Sequence, residues 1–216
     1  MLVHPISCGF GIGFLIENSN GLYLIDTGSP GYHEQVLRKM KALARNDLKL
    51  ILITHAHYDH YGNASALREQ TSAKIAVHHF DAESMLFAQS PLGSSRRYGF
   101  LFPPVQFILN KINSILPTTA DILLEDGDSL QEYGLDAKVL HTPGHTTGHC
   151  CFIIEDGIAF AGDLIGRRPR THLQNLLATN WQQIPGSIQK LKKEKPNLIY
   201  TGHSITPISN EDLQRL

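Results

Sequence analysis

Cysteine is scarce in this 216-residue chain, which has three: Cys8 and the adjacent pair Cys150 and Cys151. So few cysteines do not form a disulfide framework, and neighbours in a strand are hard to bridge without distortion. We expect them to be small core residues of a protein in a reducing compartment. The amino terminus also lacks the basic segment and the small-residue cleavage site of a secretory signal. These absences predict a cytoplasmic protein.

An excess of charge of either sign is missing as well. Nineteen lysines and arginines stand against twenty aspartates and glutamates, which gives a formal net charge of −1. A balance this even does not favour binding to a nucleic-acid backbone or to an acidic membrane surface. The lysine-rich run at 190–195 is interpreted as the solvated face of a helix. We therefore predict a small-molecule substrate and no nucleic-acid partner.

No long uninterrupted hydrophobic run is present. The longest apolar stretch, residues 98–116, is broken by two prolines and by Gln106, Asn110 and Lys111. A membrane-spanning helix needs about 20 apolar residues in succession, so the sequence predicts no membrane span. With 42% hydrophobic and 18% charged residues, the composition is that of an ordinary globular protein.

The order of the predicted elements indicates an α/β protein. Short strand patterns rich in Ile, Leu and Val run along the chain, with amphipathic helical patterns interleaved at both ends. Ser29 followed by Pro30 predicts the start of one such helix. This order favours two packed sheets with helices outside them. We expect a single domain over residues 1–216, with an insertion or lid at about 89–119, because no linker is evident.

The densest chemistry lies in residues 51–62, ILITHAHYDHYG, where three histidines and an aspartate follow an apolar run. Side chains alternate in an extended backbone, so His55 and His57 can face one way and clamp one metal ion. Asp59 and His60 follow where the strand gives way to a helix, so they can point to a second position nearby. Imidazole nitrogen with carboxylate oxygen suits zinc, with iron or manganese as alternatives. Burying these groups without an ion would cost free energy.

Four further segments share this design, a strand that ends at Gly or Pro beside an Asp or His. They are LIDTG with Asp26, LHTPGHTTGH with His145, AFAGD with Asp163 and IYTGHS with His203. Glycine lets a backbone approach closely, as a crowded two-ion site requires. The remaining histidines, at positions 4, 33, 78, 79, 141, 149 and 172, are interpreted as surface or satisfied core residues.

The motifs THAHYDH, DTG, TPGHT, AGD and TGH closely resemble the five motifs of the metallo-β-lactamase fold superfamily of metallohydrolases, over residues 10–203. The resemblance implies a four-layer αββα sandwich, in which two mixed β-sheets are flanked by helices. It also implies a dinuclear site at one edge of the two sheets, with two zinc ions per chain.

Carried over position by position, the resemblance assigns His55, His57 and His145 to the first ion, Asp59, His60 and His203 to the second, and Asp163 to both. Asp26 becomes a carboxylate that fixes a loop or a liganding imidazole. Three protein ligands per ion with one shared carboxylate leave room for a bridging hydroxide and a substrate, which is typical of a catalytic site.

The predicted reaction is hydrolysis. Two ions about 3.5–4 Å apart lower the pKa of a bridging water and polarise a carbonyl oxygen. We predict that the hydroxide attacks an ester, thioester or lactone carbonyl, with Asp59 helping to orient it. The alternative is an oxidoreductase similar to the mononuclear iron persulfide dioxygenases, which share much of the ligand set.

By ligand set, the sequence resembles glyoxalase II more than the other well-known members of this superfamily. The glutathione-binding helical region of glyoxalase II follows the last histidine, whereas residues 204–216 alone follow His203 here. A glutathione thioester therefore has no particular support from the sequence. Exported zinc β-lactamases lack the carboxylate that Asp163 supplies, so antibiotic hydrolysis is not expected.

Substrate selection is expected in the insertion, since loops around a rigid site commonly set specificity. Its apolar side chains are Phe100, Phe102, Val105, Phe107 and Ile108. They could form a lid over the site, or they could pack on the sandwich or on a second subunit in a homodimer formed through residues 98–116.

Five other residues are candidate substrate contacts. Tyr58 and Tyr61 flank metal ligands and either line a pocket or brace it. Arg168 and Arg170, together with Arg167, follow Asp163 and could hold an anionic end of the substrate, although an exposed loop with arginines needs no such role.

Overall fold

Two mixed β-sheets form the centre of the structure, a computed structural model that describes residues 1–95, 115–166 and 170–216. The first sheet has six strands in chain order: β1 (Leu2–Cys8), β2 (Gly11–Asn18), β3 (Gly21–Ile25), β4 (Leu48–Leu52), β5 (Lys74–His78) and β6 (Ile122–Leu124). The first three strands pair antiparallel, and β3 to β6 pair parallel. Parallel neighbours place their carboxyl ends at the same edge of this sheet.

The second sheet has five strands in the order β13-β12-β9-β8-β7. They are β7 (Ala137–His141), β8 (Cys150–Ile154), β9 (Ile158–Phe160), β12 (Leu198–Thr201) and β13 (Ser204–Ser209). The β9–β12 pair is parallel and the other pairs are antiparallel. A separate two-stranded ribbon joins β10 (Ile165–Gly166) to β11 (His172–Leu173).

Helices cover the outer faces of both sheets. The first sheet carries α1 (His33–Ala42), α3 (Ala64–Thr71) and α4 (His79–Leu86), and the short α2 (Tyr58–Tyr61) lies between β4 and α3. The second sheet carries α5 (Ile184–Lys193) and α6 (Asn210–Gln214). Three apolar clusters fill the spaces between these four layers. The predicted αββα sandwich of two mixed sheets is confirmed.

Strand β4 shows how the sequence produces these layers. Its Leu50 and Leu52 face the space between the sheets, whereas Ile51 faces the helices. Alternate residues of a strand point to opposite faces, so a strand covered on both sides needs a continuous apolar run. All three side chains are at most 1% exposed.

The predicted start of the first helix is wrong. Helix α1 begins at His33, because the Ser29 hydroxyl accepts a hydrogen bond from the Phe10 amide at 3.0 Å instead of capping the helix. The amide of Tyr32 donates to the Asn63 side chain at 3.0 Å. Contacts between distant segments therefore delay the helix beyond the position that local pattern indicates.

All three cysteines are buried and free, as expected of small core residues. Across residues 1–95, 115–166 and 170–216, no helix is both long and apolar enough to cross a membrane. Residues 96–114, which hold the five apolar side chains of the predicted lid, lie outside the described residues, as do Arg167 and Arg168. The lid and the homodimer stay predictions.

Candidate metal centre

The predicted strand-end residues meet at one edge of both sheets. Asp26 follows β3, His55 and His57 follow β4, Asp163 follows β9, and His203 follows β12. His145 arrives from the loop between β7 and β8, and helix α2 presents Asp59 and His60. Their potential ligand atoms form two groups, each with all atoms within 4.8 Å of one another: His55, His57, His145 and Asp163, and Asp59, His60 and His203.

Three ring nitrogens of the first group form a small triangle. His55 Nε2 lies 3.0 Å from His57 Nδ1, and His145 Nε2 lies 3.1 Å and 3.0 Å from these two atoms. The three histidines are at most 2% exposed. Hereafter these residues are called the three-histidine group.

The outer nitrogens of this group determine which inner nitrogens carry protons. His57 Nε2 lies 3.1 Å from the carbonyl oxygen of Pro91, and His145 Nδ1 lies 2.9 Å from that of Leu177. A carbonyl oxygen only accepts, which makes both outer nitrogens N–H donors. The Gln174 amide nitrogen also lies 3.0 Å from His145 Nδ1, and it donates to the Asp163 carbonyl oxygen at 2.9 Å. Because a neutral imidazole carries one N–H, the inner nitrogens of His57 and His145 are lone pairs.

A hydroxyl group gives His55 the same arrangement, with N–H on the outer nitrogen and a lone pair on the inner one. The Thr54 hydroxyl donates to the Asp26 carboxylate at 2.8 Å, so it accepts from His55 Nδ1 at 3.0 Å. The Nε2 atom of His55 is therefore a lone pair too. Burial, the largest cause in each case, lowers the pKa of all three histidines, which keeps the rings neutral.

Three lone pairs thus point at one another across distances of 3.0–3.1 Å. This arrangement is repulsive without a cation, and it fits a metal ion that accepts all three. Neutral imidazole is the form that binds metals, with the other ring nitrogen held by a hydrogen-bond acceptor. The donor set suits zinc, with iron or manganese as alternatives.

In the second group, too, each outer ring nitrogen donates to a fixed acceptor. His60 Nδ1 donates to Asp26 Oδ2 at 2.8 Å, and His203 Nδ1 donates to the Phe10 carbonyl oxygen at 2.9 Å. Their Nε2 atoms face carboxylates: His203 Nε2 lies 3.6 Å from Asp59 Oδ2, and His60 Nε2 lies 3.9 Å from the same atom. His60 Nε2 is buried and has no hydrogen-bond partner among the described residues. An unpaired buried atom of this kind also fits a metal ligand.

Asp163 lies between the two groups. Its Oδ2 atom is 3.6 Å from His145 Nε2 and 3.1 Å from His203 Nε2, and its Oδ1 atom is 3.5 Å from His60 Nε2. Within the part of the chain that the structure describes, Oδ1 is buried without a hydrogen-bond partner. The structure therefore places one carboxylate within reach of ions held by either group, which is the position predicted for a shared ligand.

Neighbouring imidazoles stabilise the negative charge of Asp163. Burial alone would raise the pKa of Asp163, but His203 and His60 hold it well below its ordinary value. In return, Asp163 raises the pKa of His203 to about 9. Burial opposes protonation of His60, yet Asp163, Asp26 and Asp59 hold its pKa well above the ordinary value. An ionised carboxylate is favoured here, as a metal ligand requires.

Three polar residues behind the site were not candidate site residues from the sequence, although Thr54 opens the THAHYDH motif and His149 ends the segment LHTPGHTTGH. They are Thr54, Asp81 and His149, all at most 1% exposed. His149 Nε2 accepts a hydrogen bond from the Asp163 amide at 3.3 Å, and its Nδ1 lies 2.9 Å from the Thr142 hydroxyl. Burial lowers its pKa to about 3. His149 is a satisfied core residue, as interpreted from sequence, but it also holds the backbone that carries Asp163.

The candidate substrate contacts differ in exposure. Tyr61 is 1% exposed and its hydroxyl donates to the Gln89 carbonyl oxygen at 2.8 Å, so it braces the loop and does not line a pocket. Tyr58 is half-buried, and burial raises its pKa to about 12. Arg170 is exposed.

The centre opens to solvent on the side of His203. The side chain of His203 is 42% exposed, whereas those of Asp59 and Asp163 are 11% and 12% exposed. Among the described residues, the second group is therefore the more accessible of the two, with Asp59 and Asp163 partly exposed beside His203.

Comparison with known proteins adds the family relationship. A family model described as the metallo-beta-lactamase superfamily matches residues 8–203. Hydroxyacylglutathione hydrolase GloC of Haemophilus influenzae is 32% identical over 176 residues, which cover 76% of this chain and 73% of that enzyme. Hydroxyacylglutathione hydrolase of Aeromonas hydrophila is 30% identical over 196 residues, 89% of this chain. The chain spans 61% of the length of that second enzyme.

Solved structures share the fold at lower sequence identity. The B3 metallo-beta-lactamase BLEG-1 superposes with a TM-score of 0.76 at 21% identity and covers 100% of this chain and 97% of its own. TTHA1623 in a di-iron-bound form gives a TM-score of 0.73 at 24% identity, with 98% and 97% coverage. At these identities the likeness concerns the fold alone.

Proposed function

The chain belongs to the metallo-beta-lactamase superfamily of metal-dependent hydrolases, and we propose that it is a two-metal hydrolase of thioesters. The observation that carries this proposal is the convergence of five metal-competent imidazole nitrogens and two carboxylates. The relatives named hydroxyacylglutathione hydrolase favour a thioester over the oxygen esters and lactones that the sequence left open.

In this proposal, the three-histidine group would hold one ion, Asp59, His60 and His203 would hold the other, and Asp163 would be shared between them. Two bound ions of this kind supply a nucleophile at neutral pH and polarise the substrate carbonyl. Zinc is the proposed metal because the donor set is rich in imidazole, with iron or manganese as alternatives.

The chain itself supplies orientation and a proton acceptor. Each inward-facing imidazole is held from behind by a fixed acceptor, so the ligand geometry exists before the substrate arrives. Asp59 lies at the open edge of the site, with Oδ2 3.6 Å from His203 Nε2. We assign to Asp59 the orientation of the nucleophile and the acceptance of its proton.

The chemistry of the leaving group agrees with a thioester. A thiol has a pKa of about 8.5, so a thiolate can leave near neutral pH without prior protonation. The site then needs to supply charge stabilisation and a positioned nucleophile, and the residues above provide both.

The experiment combines elemental analysis with a substrate panel. Protein purified without added metal or chelator is analysed for zinc, iron and manganese. It is then assayed on a glutathione thioester of a 2-hydroxy acid, the matching oxygen ester and a lactone. We expect about two ions per chain and the fastest turnover on the thioester. About one iron per chain with oxygen uptake on a persulfide would replace this proposal with the dioxygenase alternative.

Two variants test the site assignment in the same assay. Asp163→Ala should lose metal and hydrolysis together, because the carboxylate between the groups is removed. His33→Ala, at the start of α1, is the matched control and should retain both. An Asp163→Ala protein with full metal content and turnover would contradict the assignment.

A further inference from the structure

Asp81 is a buried carboxylate that none of the sequence motifs includes. It lies in the first turn of α4, directly after β5, and is 1% exposed. Among the described residues, its hydrogen-bond partners do not include Asp59 or Asp163.

Three hydrogen-bond donors converge on this carboxylate. Oδ2 accepts from the Ala56 amide at 2.8 Å and from the Thr146 hydroxyl at 2.7 Å. Oδ1 accepts from the Gly148 amide at 2.7 Å. Hydrogen bonds to a charged acceptor at these distances are among the stronger ones in proteins.

These donors belong to the two loops that carry the three-histidine group. Ala56 stands between His55 and His57, and Thr146 directly follows His145. About 90 residues separate the two loops in sequence, and the contact between His145 and His55 spans that separation. One carboxylate therefore connects the backbone on both sides of the nitrogen triangle.

The loop is also shaped to admit the carboxylate. A Cβ atom at Gly148 would lie 2.7 Å from Asp81 Cγ and 2.7 Å from Asp81 Oδ1. Such distances are too short for a side chain, so only glycine lets this backbone amide reach the carboxylate.

The second group is held by other acceptors. His60 donates to Asp26 at 2.8 Å, and His203 donates to the Phe10 carbonyl oxygen at 2.9 Å. Asp26 also accepts from the Thr54 amide and hydroxyl. The hydrogen bonds of Asp81 run to Ala56, Thr146 and Gly148, so a change at Asp81 acts on the three-histidine group.

We propose that Asp81 is a positioning residue that sets the spacing of the nitrogen triangle, and so controls the affinity of the three-histidine group for its ion. The proposal rests on the two-metal site of the proposed function. Its chemical requirement is specific: both oxygens face donors only. An asparagine must turn its NH₂ group toward at least one donor, which removes an acceptor and places two donors together.

The test is a competitive zinc titration of Asp81→Asn against a chromophoric chelator, with thermal unfolding measured in parallel. We expect one of the two stepwise dissociation constants to rise about 10–100-fold and the other to change less than about twofold. Asp121→Asn is the matched control. Asp121 also accepts a backbone amide, that of Ile75 at 2.8 Å, at the amino end of β5. Both constants of that variant should stay at the wild-type values.

Thr146→Val keeps the test decisive if Asp81→Asn does not fold. It preserves side-chain shape and removes one of the three bonds, so the same constant should rise by a smaller factor. Unchanged constants in folded variants, or an equal rise in both constants, would overturn the proposal. If wild-type protein binds one ion, the two-metal function fails, but the effect of Asp81→Asn on that single constant still decides the role of Asp81. A wild-type chain that binds no zinc would overturn both.

Discussion

At the residue scale, the centre depends on how each imidazole uses its two nitrogens. The outer nitrogen of every ring in the two groups donates to a fixed acceptor: Pro91 O, Leu177 O, Thr54 Oγ1, Asp26 Oδ2 or Phe10 O. In the three-histidine group the inner nitrogen is thereby left as a lone pair before any ion arrives, whereas an ion bound by the second group must displace a proton from His60 and His203, whose pKa values the nearby carboxylates raise. Such supporting acceptors orient metal ligands, and their loss commonly weakens metal affinity.

Thr54 provides the most direct test of this arrangement. Its hydroxyl accepts from His55 and donates to Asp26, so Thr54→Val leaves a buried N–H without an acceptor. We expect zinc affinity to fall about 10–100-fold. The free energy of unfolding should fall by about 1–3 kcal/mol. Chelator competition and urea unfolding measure the two effects.

Thr71→Val is the matched control for that change. The Thr71 hydroxyl donates to the Leu67 carbonyl oxygen within α3, on a helix that carries no proposed ligand. Its zinc affinity should equal that of the wild type. Equal losses in both variants would show that the effect of Thr54 is a general loss of stability.

At the scale of elements, the site depends on strand ends that lack side chains. Gly202 follows β12 and is buried between Asp163 and His60. A Cβ atom at this position would lie 2.6 Å from His60 Cε1 and would also clash with the Asp163 carboxylate. The glycines of the motifs therefore create the space in which the two groups approach each other, as the sequence indicated.

Gly202→Ala should accordingly displace Asp163 or His60 and reduce bound metal to about one ion per chain or fewer, because two ligands move. Gly186→Ala is the control. An added Cβ there meets nothing within 4 Å, and the residue lies in α5. That variant should keep its metal and gain about 0.5 kcal/mol of stability. Elemental analysis and thermal unfolding check both, and full metal content in Gly202→Ala would refute the crowding argument.

Two of the strands that the sequence did not predict are edge strands of the main sheets. Strand β1 forms one edge of the first sheet and contains Pro5, and β13 forms one edge of the second sheet and contains Pro207. Proline lacks the amide that a central strand must donate, so it is confined mainly to edges and bulges. Strand β1 pairs with β2, which directly follows it, and β13 pairs in irregular register with β12, which directly precedes it, so proline interrupts the local pattern of both strands. The central strands, with apolar runs, were predictable.

At the scale of the whole molecule, stability should depend on pH through a histidine outside the metal centre. His78 is 1% exposed, and its ring stacks on that of His141 with centroids 4.0 Å apart. Burial, followed by the charges of His141 and His79, lowers the pKa of His78 to about 3. A histidine in the unfolded chain titrates near about 6.5, so the unfolded state binds more protons between about pH 3 and 6.5. The stability that comes from keeping His78 neutral is fully present above about pH 6.5 and is lost as the pH falls toward about 3.

His78→Gln should flatten this dependence. The slope of the unfolding free energy against pH should decrease by up to about 1.4 kcal/mol per pH unit, the value for one proton. Urea unfolding of metal-free protein between about pH 4.5 and 6.5 measures the slope without a contribution from metal loss. His33→Gln is the control and should keep the wild-type slope. An unchanged slope in His78→Gln would contradict the prediction.

The sequence by itself determined the family, the layered architecture and the residue types that gather at the sheet edge. These follow from local patterns, because apolar alternation defines strands and ligand residues beside glycine mark their ends. The tertiary structure alone decided which nitrogen of each ring faces inward, because the deciding acceptors are remote in sequence, such as Leu177 for His145 and Phe10 for His203. It likewise decided the place of Asp81, whose three donors come from two loops that meet only in the folded chain.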